Sequence, residues 1–154
     1  MQKAIESFKA RNGFYPSTVG RTGCVDSAVV TGDGSWCGLC ESVNTNGTFT
    51  DSDSDGTSTT TDTGDTGYIP DLAPIFIPKL PQDPRNSIAN TRSPNSGCAT
   101  GTVNCYQYNS NGSDYKLIAH CTPEGTLSTT DAFYDSRRPA YSWQVSSSSV
   151  TLNW

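Results

Sequence analysis

Positive charge is missing from a long stretch of this chain. No Lys or Arg lies between Arg21 and Lys79, while nine acids do: Asp26, Asp33, Glu41, Asp51, Asp53, Asp55, Asp62, Asp65 and Asp71. An acidic block of this kind repels nucleic acid and anionic membranes and attracts cations. Apolar residues are also scarce, at 33% of 154 residues, well below the usual globular share, so the core is small and much of the chain is surface. No run approaches the roughly 20 apolar residues of a membrane span. The longest, residues 69–77, is broken by Pro70 and Pro74. The first residues read as a polar helix and not as a basic-then-apolar secretory signal. There is one histidine, His120, and no G-x-S-x-G or H-E-x-x-H pattern, so the common hydrolase signatures are absent. The expectation is a non-enzymatic protein.

What is present begins with six cysteines, Cys24, Cys37, Cys40, Cys98, Cys105 and Cys121. In a short, polar chain they point to a disulfide framework and an oxidising compartment. Spacing leaves the pairing open, although Cys98 and Cys105 enclose a short loop and make a plausible local pair. Trp36-Cys-Gly-Leu-Cys40 has the C-x-x-C spacing of a redox motif, but neither the strand that should precede it nor the helix that should follow is readable. A zinc site would want a second C-x-x-C, which Cys98 and Cys105 do not supply.

Residues 2–12 carry Ala4, Ile5 and Phe8 on one helical face, and Asn12-Gly13 is a helix stop. A helix that opens without an N-cap reads as the tail of a longer one. Residues 17–67 are dominated by Thr, Ser, Gly, Asp and Asn and read as an acidic loop. Residues 68–84 form a Pro-rich connector, with room for a helical turn over Asp71–Phe76. Strands are expected at Val103–Tyr108, Tyr115–Cys121, Tyr141–Val145 and Val150–Trp154, with a turn at Asn109–Ser113. The alternating Tyr106, Tyr108, Tyr115, Tyr141 and Trp143 are expected to pack on the helix. The order predicts an α+β fold in a single domain: one helix, a long loop, then a small antiparallel sheet over residues 103–154.

The sharpest motif is Asp51-Ser-Asp-Ser-Asp55-Gly56 with Asp62 closing it, which fits the spacing of a calcium loop. Asp51, Asp53 and Asp55 would supply carboxylates, Thr57 a carbonyl, Thr59 a water-linked hydroxyl and Asp62 the last carboxylate, for a cation that takes six to eight hard oxygens. Ser58 stands where such loops carry a hydrophobic residue, and no flanking helix is readable, so the choice lies between a helix-free calcium loop and a low-complexity acidic loop. Arg85, Arg92, Arg137 and Arg138 are too few for nucleic acid and are expected to pair with acids. Asn46-Gly-Thr48 and Asn111-Gly-Ser113 are glycosylation sequons.

Several segments, taken in order, resemble one family. Ala4 to Pro16, with its Asn-Gly-Phe-Tyr-Pro exit, resembles the end of the long N-terminal helix of bacterial type IV pilins and type II secretion pseudopilins. Ile77-Pro-Lys-Leu-Pro-Gln-Asp-Pro84 resembles the segment that leads into the sheet of the major pseudopilins. Cys105 to Tyr108 and Ser113 to His120 sit where the next hairpin would be, and Asp135 to Pro139 with Ser142 to Val145 resemble the C-terminal stretch of some members. Residues 2–16 and 77–154 are covered. The resemblance implies a filament subunit whose apolar N-terminal helix, absent here, anchors the precursor in the inner membrane and later packs in the filament core. Its implied partners are copies of itself, minor pilins or secretion machinery, and its implied place is a cell-surface filament or the periplasm. The C-terminal calcium loop of many pseudopilins has no clear match in Asp131 to Ser136. A pseudopilin and a secreted calcium-dependent binding module remain the alternatives.

Overall fold

The computed structural model describes residues 1–19, 37–38, 41–43, 49–51, 68–81, 83–84, 105–120, 128–137, 142–149, 151 and 154. They form an α+β arrangement. Helix α1 (Gln2–Asn12) is followed by short strands β1 (Cys37–Gly38), β2 (Glu41–Val43) and β3 (Phe49–Asp51), and then by β4 (Cys105–Ser110), β5 (Tyr115–His120) and β6 (Ser142–Ser146).

Helix α1 buries Ala4, Ile5 and Phe8, and no side chain caps its first turn. It ends where Gly13 adopts φ 85°, donating its N–H to the Lys9 carbonyl. Only glycine takes that left-handed conformation without a Cβ penalty. Lys9 and Arg11 occupy the last turn, where positive charge is favourable against the helix dipole. The exit is tied to the sheet. Tyr15 and Thr18 donate their N–H groups to the carbonyls of Gly112 and Ser110 at 2.8 and 2.9 Å, and the Tyr108 hydroxyl donates to the Pro16 carbonyl at 3.0 Å.

Strands β4, β5 and β6 make an antiparallel meander, with Tyr108 opposite Leu117 and Leu117 opposite Val145. Period-two alternation puts Tyr106, Tyr108, Tyr115, Leu117, Ala119, Val145 and Trp143 on one face. Tyr108, Tyr115 and Leu117 join Ala4, Ile5 and Phe8 of α1 in the main core cluster. On the opposite face Ile118 packs with Trp154.

Four differences from the sequence expectations have physical reasons. The loop over residues 17–67 holds three short strands: β1 adds to the β4 edge, and β2 pairs with β3 in a separate hairpin. Strands of two or three residues are too short to show a period. Strand β4 runs to Ser110, so the turn lies later, around Asn111–Asp114, where the Asn111 side chain accepts two backbone N–H groups. The expected strand at Val150–Trp154 is replaced at its described residues by turns, because Thr151 donates back to the Ser148 carbonyl and Trp154 to that of Thr151. The connector is the largest surprise: Tyr68, Ile69, Leu72, Ala73 and Leu80 are core residues. A hydrogen-bonded turn forms there, with the Phe76 N–H donating to the Leu72 carbonyl at 2.9 Å, but it is not the helical turn expected. Pro74 lies within it after a cis bond, and Pro70 precedes the left-handed Asp71.

Candidate functional site

Three arrangements stand out. The first is a phenol cluster at the helix–sheet seam. Tyr15 packs edge-on against Tyr115 at 4.8 Å, and Tyr115 stacks on Tyr108 at 5.9 Å. The hydroxyls of Tyr15 and Tyr115 both donate to the Glu6 carboxylate, at 3.2 to 3.3 Å. The Lys9 ammonium sits 4.1 Å from the Tyr15 ring centre, a cation–π distance. Burial pushes the Tyr108 and Tyr115 phenols far above their ordinary range, and the nearby Glu6 charge adds to the effect at Tyr115. Burial also raises Tyr15 and Tyr106, the latter with help from the Asp83 charge.

The second is a buried ion pair on the opposite face of the sheet. Lys116 Nζ lies 3.0 Å from Asp135 Oδ1, both side chains fully buried, and donates to the Trp154 carbonyl at 3.1 Å. Asp135 also accepts the Arg137 N–H at 2.9 Å. The pair ties β5 to the 128–137 segment and to Trp154. Arg85, Arg92 and Arg138, expected to pair with the acidic block, lie outside the described residues. Arg137 meets Asp135 through its backbone, while Lys116, a strand residue with no flanking charge pattern, holds the carboxylate.

The third is a groove of about 330 Å³ on the helix side of the sheet, lined by Met1, Tyr106, Leu117, Phe133, Trp143 and Val145 among others. It lies beside Met1, on the sheet face against which α1 packs. Phe133 and Trp143 stack at 5.8 Å and stay 48% and 42% exposed. Of the alternating aromatics, Tyr108 and Tyr115 pack under α1 as expected, Tyr106 is half-buried, and Trp143 stands beyond the helix. Tyr141 lies outside the described residues.

Of the calcium motif only Asp51 is described; it closes β3 and stands opposite Glu41 in register. Asp53, Asp55, Thr57, Thr59 and Asp62 lie outside the described residues. Of the cysteines, Cys37 is buried and disulfide-bonded, and Cys105 opens β4. Cys24, Cys40, Cys98 and Cys121 lie outside the described residues, as does any pairing. His120 ends β5 opposite Ser142. Among the described residues no helix is long and apolar enough to cross a membrane, and no group of three potential metal-ligating side chains forms.

The chain matches no family model, no curated protein and no solved structure.

Proposed function

We propose that this chain is the headgroup of a type IV pilus-like filament subunit, a structural and non-enzymatic protein that polymerises through its N-terminal helix. The observation that carries the reading is the placement of α1. The amphipathic helix lies with Ala4, Ile5 and Phe8 on the face of an antiparallel meander. It leaves through a left-handed Gly13 and a Tyr15-Pro16 segment bonded to the hairpin tip. The apolar groove beside Met1 is in line with the same face of the sheet. In this reading the cysteines staple the loop over residues 17–67, the subunit is anchored in the inner membrane before assembly, and its partners are further copies of itself.

Electron microscopy of the host expressing the full-length gene tests the proposal. Filaments labelled by an antibody to this chain, and their loss on deletion of the gene, are expected. Filaments unchanged by the deletion and unlabelled by the antibody would overturn it.

Calcium binding at Asp51, Asp53, Asp55, Thr57, Thr59 and Asp62 belongs to the same proposal. The spacing of carboxylates and hydroxyls in the sequence supports it. Millimolar calcium is expected to raise the melting temperature, and Asp53→Ala with Asp55→Ala to abolish the rise. A melting temperature indifferent to calcium removes the assignment.

A further inference from the structure

We propose that Asn111 is an N-glycosylation acceptor, with an activated sugar carrying a diphosphate leaving group as the donor. The sequence Asn111-Gly-Ser113 has the required form, with a residue other than proline in the middle. The structure adds three observations. Asn111 and Ser113 are both exposed, at the tip of the β4–β5 hairpin and away from the helix–sheet core. Asn111 Oδ1 accepts the N–H groups of Ser113 and Asp114 at 2.9 and 2.8 Å. Those two bonds engage the side-chain oxygen and hold the amide in place at an exposed position. Gly112 is at φ 88°, so the middle residue brings no side chain between the acceptor amide and the Ser113 hydroxyl.

The other described asparagines do not combine these features. Asn12 Nδ2 donates to the Phe8 carbonyl in the last turn of α1, and its sequence is Asn-Gly-Phe. Asn109 is buried within β4, and its sequence is Asn-Ser-Asn.

The chemistry balances without a redox partner. Nδ2 forms a bond to the anomeric carbon of the sugar, the bond from that carbon to the diphosphate oxygen breaks with its electron pair, and Nδ2 loses one proton. A lipid diphosphate donor would deliver an oligosaccharide in one step, and a nucleotide donor a single hexose.

Mass spectrometry of the chain purified from its native cells, digested to the peptide that contains residues 105–116, tests the proposal. That peptide is expected to carry a glycan, and the size of the increment separates the two donors. Asn111→Gln and Ser113→Ala should each eliminate the increment, and Ser113→Thr should keep it. Circular dichroism checks that the variants, changed only at exposed positions, remain folded. An unmodified Asn111 in native material overturns the proposal, as does an increment that survives Ser113→Ala. The outcome is independent of whether the chain forms filaments.

Discussion

The Tyr115 hydroxyl, on a fully buried residue, donates to the Glu6 carboxylate. With Tyr108 beside it, it makes the helix–sheet seam sensitive to alkali. A phenol held protonated in the folded chain and released in the unfolded one stabilises the fold fully below its ordinary pKa of about 10 and progressively less above it. The urea midpoint is therefore expected to hold steady through neutral pH and fall above about pH 10. Phenolate absorbance should show Tyr108 and Tyr115 titrating only as the chain unfolds. Glu6→Gln removes the charge that helps raise Tyr115 and should bring its titration to lower pH. A second residue-scale expectation concerns Lys116. Replacing it by Met removes the cation from beside the buried Asp135 carboxylate and the bond that Lys116 gives to the Trp154 carbonyl. Breaking a buried pair in this way costs about 3–5 kcal/mol, readable as a loss of unfolding free energy in urea without reductant. The double variant Lys116→Met with Asp135→Leu should recover part of that loss, because neither charge then stays buried alone.

At the scale of elements, α1 depends on tertiary packing. Eleven residues are too few for an isolated helix to persist in water. Its apolar stripe supplies the difference, with Phe8 at the centre: its ring meets Phe76 at 5.3 Å and Phe14 at 5.9 Å. Phe8→Ala is expected to cost about 3–5 kcal/mol, whereas the exposed Lys3→Ala should change stability by no more than about 0.5 kcal/mol. Helicity by circular dichroism and urea titration measure both. The contrast separates packing from propensity, since Ala is the better helix former at either position. The helix, its glycine stop and the β4–β5 hairpin were legible because each carries a local signal several residues long. Strand β1 was not, because two residues have no period and their partner, β4, is some seventy positions away.

For the molecule as a whole, the low apolar content is offset in two ways. The connector over residues 68–84, punctuated by prolines, supplies Ile69, Leu72 and Leu80 to the core. Covalent closure adds to this at Cys37. Restricting the unfolded chain by a disulfide contributes roughly 2–4 kcal/mol per bridge. Reduction is expected to lower the melting temperature by several degrees, and alkylation without reductant should leave Cys37 unlabelled by mass spectrometry. A labelled Cys37 would contradict the bond.

The sequence alone determined the α+β class, the buried face Ala4, Ile5 and Phe8, the left-handed stop at Gly13 and the hairpin, because backbone conformation and side-chain periodicity are local properties. It also determined the spacing of the acidic motif and the number of cysteines. Only the tertiary structure decided what the non-local contacts are. Lys116 meets Asp135 across nineteen positions, Glu6 meets Tyr115 across more than a hundred, and the connector turns inward. The aromatic groove beside Met1 brings Tyr106, Phe133 and Trp143 together from separate stretches of the chain, and no period along the chain records that meeting.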